Sequence, residues 1–235
     1  MLVTTSQDQI AEELLHLQND VIFQNAVASI KPGKMRRDPQ NEAYRQRLIY
    51  TKALRNYLYN PAILNVIFGD SDLQSLFLRT FGYTNNTQFT IYPNAWLRDF
   101  PMLDIGENTY LGDGILLGTN QVSVNQKFIT VGKIKIGANS VFDQKCSVGY
   151  HTTIGKNVQV RFNTAIGLKC TLGDHVTLGE FNVIGHATHI GHNAILHTYC
   201  RVGHFVTIDE GVVVEEFANI PSNSHVTKEG IFSKN

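Results

Sequence analysis

The chain has 235 residues, with 20 basic and 20 acidic side chains and a pI near 7.1. Balanced charge gives no electrostatic reason to expect nucleic acid or an anionic membrane as a partner, and no apolar run approaches the ~18 residues of a membrane-spanning helix. The N-terminus lacks a basic-then-apolar secretion signal, so three free thiols and a cytoplasmic location are expected.

Residues 1–87 read as an α-helical domain. Ser6 is placed to cap a helix carrying Ile10, Leu14, Leu17 and Val21 at helical spacing. The run IKPGKMRRDPQN, Ile30 to Asn41, interrupts it. A second helix is expected from Asn41 to Asn60, with Tyr50, Leu54, Tyr57 and Leu58 for packing. Pro61 suits the first position of a third helix ending at Gly69, and a fourth runs from Ser71 to Phe81 and stops at Gly82. Lys31, Lys34, Arg36, Arg37, Arg45, Arg47, Lys52 and Arg55 concentrate positive charge here. They read either as a solvated face or as a docking patch for an acidic partner. Residues 88–102 read as an extended lead-in to the C-terminal repeat.

From Ile136 to Val226 an apolar residue recurs at every sixth position, sixteen times without a miss. Neither an α-helix nor an ordinary strand has this period; a hexapeptide-repeat parallel β-helix does. With the apolar residue as position one, position two is glycine in nine of fifteen units, and position five is Ser, Thr, Ala, Val or Cys except at Asn182. Asn139, Asn157, Asn163, Asn193 and Asn223 at position four suit a left-handed corner. Three six-residue sides make an 18-residue coil, so residues 18 apart stack at roughly 4.8 Å. Ile105, Leu111 and Leu117 form an earlier set, nineteen residues short of Ile136, and the odd residue reads as a single-residue bulge. The β-helix is thus placed at 103–228 with almost seven coils, followed by a C-terminal tail at 229–235. The helical domain would cover the open end of the coil stack. Cys146, Cys170 and Cys200 all occupy the small inward position five and read as buried spacers.

Eight of the nine histidines lie between 151 and 225, and five between 186 and 204. His186, His192 and His204 occupy the outward position three. The 18-residue step stacks Asp174, His192 and Glu210 in one column, where a carboxylate could orient the imidazole. His186 and His204 stack in another.

The repeat resembles the left-handed β-helix acyltransferases of the LpxA-like hexapeptide-repeat superfamily, and this resemblance implies the handedness. It also implies a homotrimer with active sites in the clefts between prisms. Such a trimer would transfer an acyl group, with acetyl expected, from coenzyme A or acyl carrier protein to a hydroxyl or amine of a small-molecule acceptor. The acyl donor is a co-substrate in this reading, and no tightly bound cofactor or metal is implied. The segment Ile190 to Leu196 is similar to the family segment that carries the catalytic base, nearest that of bacterial sugar O- or N-acetyltransferases, and His192 falls on that base. Asp174 and Glu210 are expected to support it, because Asn193 stands where the family usually has an acid. His186, Arg201, Gly203, His204 and Lys228 are the expected donor-binding residues, with the Gly203 backbone pairing pantetheine amides and Arg201 or Lys228 meeting phosphate. An acyl carrier protein would be a natural acidic partner for the basic patch. The chain shows no Gly-rich strand–turn–helix for a nucleotide sugar, so the acceptor is unread. Two other functions share the fold: a non-catalytic trimeric scaffold, and a γ-carbonic-anhydrase-like metal enzyme, whose histidine spacing this sequence does not meet.

Overall fold

The computed structural model describes residues 6–234; residues 1–5 of the expected helical domain and Asn235 of the expected tail lie outside the described residues. Five helices form the N-terminal domain: α1 Gln7–Asn19, α2 Val21–Ala28, α3 Glu42–Leu58, α4 Pro61–Phe68 and α5 Ser71–Thr80. Ser6 closes a capping box with Gln9. The expected first helix is split at Asp20, whose carboxylate accepts from the Ile22 and Phe23 amides and so starts α2. Val21 therefore leaves the apolar stripe of α1 and is 71% exposed. Pro61 and Gly69 bound α4, and α5 gives way to Gly82 at φ 84°.

The remainder is a parallel β-helix. Each of its three walls has seven parallel strands. The first wall begins at Thr90–Ile91, the second at Trp96–Leu97 and the third at Leu103–Ile105. The prism thus starts two sides ahead of 103, and most of the expected lead-in belongs to its first coil. The sixfold beat hides this because the step from Leu97 to Ile105 is eight residues. The surplus is taken by a left-handed Asp99 and a short 3-10 turn over Phe100–Met102.

All sixteen apolar positions from Ile136 to Val226 are buried. Ile136, Ile154, Leu172, Ile190, Ile208 and Val226 follow one another along the third wall. Position four of every unit from Asn139 to Asn223 has φ between 54° and 65°, yet Gly211 is the only glycine among them. A left-handed L-residue costs about 1–2 kcal/mol. Here the amides of such residues are bonded one coil away, as Asn157 N–H to Ala138, His175 to Lys156 and Asn193 to Asp174. The stack stabilises what the local chain disfavours.

The expected bulge between Leu117 and Ile136 is instead a hairpin. One side needs six residues and nineteen are present, leaving thirteen extra. They form the antiparallel pair Asn120–Val122 and Phe128–Val131, and Gly33–Arg36 adds as a third strand. The segment expected only to break the helices is thus partly a strand. The register resumes afterwards, since Ile136 pairs with Ile105. At the other end the expected tail is also a strand: Gly230–Ser233 folds back on Ser224–Thr227 and covers the last edge of the third wall.

The helical domain is sealed to the first coil. Phe23, Tyr50, Tyr57, Phe77 and Phe81 form an aromatic nest that Phe100 of the 3-10 turn enters, its ring 5.6 Å from Phe77. Tyr50 Oη accepts from the Phe100 amide, and Tyr83 Oη bridges the backbone N–H and C=O of Ile105. Burial pushes both phenols up, Tyr83 to about 12. Arg47, expected in the exposed basic patch, is buried and paired with buried Asp99 at 2.7 Å. Asp99 also accepts from Thr119 Oγ1 and Asn120 Nδ2, which ties helix, first coil and hairpin together. Two more residues of the patch are engaged by the hairpin: Lys34 lies 4.4 Å from the centre of the Phe128 ring, and Arg37 donates to the Gln126 carbonyl.

Candidate active face

The three walls differ on their outer surfaces. The outward row of the third wall is polar throughout: Asp104, Lys135, Thr153, Thr171, His189, Thr207 and His225. The second wall presents Leu116, Ala165 and Val183 among its outward residues, and the first presents Val141, Ile195 and Val213. Leu116, Val183 and Val213 are exposed.

The chain enters the third wall past the corner bearing His186 and His204 and leaves it past the corner bearing His192. The two histidine columns therefore flank one polar face, with His189 on the face itself. The leaving corner extends the expected column in both directions, to Lys156, Asp174, His192, Glu210 and Lys228. Lys228 places its ammonium beside Gly211, next to Glu210.

These outward side chains share a structural task. At these two corners the position-three amides of Lys156, Leu168, Asp174, His186 and His204 each donate to a side chain one coil higher. Asp174 Oδ1 accepts from the Lys156 amide at 2.8 Å, and His192 Nδ1 from the Asp174 amide at 2.9 Å. On the other corner His186 Nδ1 accepts from Leu168, His204 Nδ1 from His186, and Ser222 Oγ from His204. A nitrogen that accepts from an N–H carries no proton, so each neutral ring holds its proton on Nε2 and directs it outward. The His186 and His204 rings stack with centroids 4.8 Å apart. Partial burial, and then the neighbouring His204, hold the His186 pKa below the ordinary histidine value.

Asp174 and His192 are brought together, with Nδ1 3.8 Å from the Asp174 carboxylate as well as 2.9 Å from its amide. Glu210 is not joined to them. It accepts from Asn193 Nδ2 at 3.4 Å, because the amide next to His192 offers it a donor and the neutral ring's Nδ1 is already used. Gly203, expected to pair with the donor's amides, lies at the entering corner. Its N–H donates to Ile220 and its C=O accepts from Thr188 Oγ1, so its backbone is committed inside the stack. Arg201 is exposed on the second wall, away from the His192 corner.

One close pair escapes the 18-residue step: His225 Nε2 lies 2.7 Å from Asp209 Oδ1. The two residues are sixteen apart and join the third wall to its leaving corner, a diagonal that no column predicts. The three cysteines are buried and free, each thiol directed at a carbonyl. Burial pushes them up, Cys146 to about 11, which keeps them as thiols rather than nucleophilic thiolates. Among the described residues no three His, Cys, Asp or Glu side chains are grouped as a metal site, and no helix is long and apolar enough to cross a membrane.

No family model and no curated protein matches the chain. Solved structures do. LpxA, a UDP-N-acetylglucosamine acyltransferase from Bacteroides fragilis, is similar at 17% identity over 63% of this chain and 58% of its own, with a TM-score of 0.39. A mutant of perosamine N-acetyltransferase from Caulobacter crescentus, in complex with CoA and GDP-perosamine, is similar at 19% identity over 71% of this chain and 66% of its own, with a TM-score of 0.30. The acetyltransferase domain of PglB from Neisseria gonorrhoeae, in complex with acetyl coenzyme A, gives 17% identity, 69% and 63% coverage, and a TM-score of 0.25. The match spans less than three-fifths of the Bacteroides protein.

Proposed function

We propose that the protein is an acyltransferase that moves an acetyl or other acyl group from coenzyme A or acyl carrier protein to a hydroxyl or amine of a small-molecule acceptor. In this reading it works as a cytoplasmic homotrimer with active sites in the clefts between prisms, and the polar third wall faces the substrates. The observation that carries the reading is the Asp174–His192 pair: an exposed imidazole whose Nδ1 sits between the amide and the carboxylate of one residue.

That position defines two states of the ring. With Nδ1 accepting from the amide, Nε2 is protonated and cannot take a proton. When the ring takes up a proton at Nδ1, turns that N–H toward the Asp174 carboxylate and releases the Nε2 proton to solvent, the Nε2 lone pair is freed, and the carboxylate then stabilises the imidazolium formed in the reaction. Nε2 removes the acceptor's proton as its oxygen or nitrogen attacks the thioester carbonyl. The new C–O or C–N bond forms, the C–S bond breaks, and the thiolate leaves with the proton held on Nε2. Lys228 and Arg201 remain the cations proposed to meet donor phosphates; His186 and His204 would border the donor on the opposite corner. Glu210 enters only through Asn193.

The test is acyl transfer from acetyl-CoA to a panel of amino sugars and alcohols. His192→Ala is expected to lose about 10²–10⁴-fold in kcat, and Asp174→Asn a smaller factor with the acetyl-CoA KM unchanged. Transfer that survives His192→Ala removes the base assignment. A second reading, a non-catalytic trimeric scaffold, is favoured by the amide-capping role of the histidines, which needs no chemistry. Absence of both acyl-CoA and acyl-carrier binding by calorimetry selects it.

A further inference from the structure

The third wall carries a concave feature two coils below Thr171, where the helical domain, the return of the hairpin and the third wall meet. It is a groove of about 480 Å³, within the size range of small-molecule sites. Its lining is mostly polar, and none of the candidate catalytic or donor-binding residues reaches it.

Two features distinguish it from an ordinary solvated cleft. First, its charges are not balanced. Asp104 is answered by Lys135 at 3.8 Å, while Lys133 and the His151 ring make no ion pair or side-chain hydrogen bond among the described residues. Second, the imidazole is held in place. His151 sits at a left-handed corner with φ 59°, its amide bonded to the Lys133 carbonyl. Its ring lies against Gly132, where a Cβ would come within 2.8 Å of Cε1 and Nε2, and edge-on to Tyr150 at 5.1 Å. Tyr150 is in turn anchored to Gln121 of the hairpin. The thirteen-residue excursion thus supplies Lys133, seats His151 and forms one rim.

Around Lys133 and His151 stand groups suited to hydroxyls. Thr84 and Thr153 have no side-chain partner among the described residues, and Asp104 can accept from more than one O–H. An unpaired lysine ammonium beside an imidazole N–H matches a phosphoryl group, and a carboxylate beside threonine hydroxyls matches a polyol. We propose that this groove binds a phosphate ester of a small polyhydroxylated molecule, a sugar phosphate in chemical class, with its phosphoryl group on Lys133 and His151 and its hydroxyls on Asp104 and Thr153. The site stands on its own residues and does not depend on His192 acting as a base.

Glucose 1-phosphate, inorganic phosphate and glucose are titrated separately into the full-length protein by calorimetry. Saturable binding of glucose 1-phosphate is expected, at least about tenfold tighter than either fragment. Lys133→Ala and His151→Asn should each weaken it about tenfold; asparagine tolerates the left-handed corner, so the fold is kept. Lys52→Ala, on the exposed side of α3, should leave it unchanged. Thermal melting of each variant checks folding. No saturable binding, binding untouched by both groove variants, or equal weakening by Lys52→Ala overturns the proposal.

Discussion

The five upper coils and the two lower ones are built of the same rungs but held by different means. Above Val141 every side is six residues, position four of every unit is left-handed, and each coil is bonded only to its neighbours. Below, one side has eight residues, another nineteen, and the irregularities are fastened by particular long-range contacts: Arg47 to Asp99, Asp99 to Thr119 and Asn120, Tyr83 to Ile105. Repetition spreads stability over many equivalent contacts. Irregularity concentrates it in a few.

That contrast is exposed to experiment most sharply at the buried ion pair. Arg47→Ala leaves the Asp99 carboxylate buried without its cation and should cost about 3–5 kcal/mol in urea unfolding. Amide exchange should show the loss first in α3 and the hairpin, with the upper coils protected. Uniform loss of protection would mean that the two regions are one cooperative unit. In the upper coils a single packing error should be milder. A Cβ at Gly173 would lie 2.6 Å from the His192 amide nitrogen, and Gly173→Ala should cost about 1–3 kcal/mol. Smaller still, Ala187 is left-handed at φ 54°, so Ala187→Gly should stabilise by roughly 0.5 kcal/mol as relief of strain outweighs the entropy of glycine. A destabilisation there would show that the corner imposes no strain.

The smallest expected effect is that of pH. His186 has its pKa lowered in the folded state by partial burial and His204. The unfolded chain therefore takes up this proton more readily, near pH 6.5. The contribution is intact above about 6.5 and declines as pH falls toward the depressed folded value. His186→Asn should flatten that limb of the midpoint-versus-pH curve, and an unaltered limb would assign it to other groups.

The upper coils are legible because their pattern is a direct image of their contacts. Ile154 must be apolar, Cys170 small and Asn163 tolerant of positive φ, and all three constraints recur at one period. The lower coils are hidden because their contacts are singular. Nothing in the sequence announces that Asp99 receives Arg47 across 52 positions, or that Gly33–Arg36 joins a sheet with the chain near residue 130. The nineteen-residue gap is visible, but length alone does not tell one coil plus a bulge from one side plus a hairpin. The Asp174–His192 neighbourhood follows from the 18-residue step. The hydrogen-bond role of the ring does not, because it depends on which amides the strands leave unpaired. His225 and Asp209 are hidden for a related reason: they meet across a corner, off every column.

The hairpin also shows where alignment is kept. After thirteen surplus residues the ladder resumes at Ile136 in register with Ile105, so alignment is stored in the pile of coils and not in the length of thread between them. Each corner is in that sense a port. A segment of foreign length can be let in without the floors above shifting, provided that its two ends return to neighbouring sides. The prism then serves as a ruled staff on which binding loops can be written one at a time, at heights set in steps of one coil.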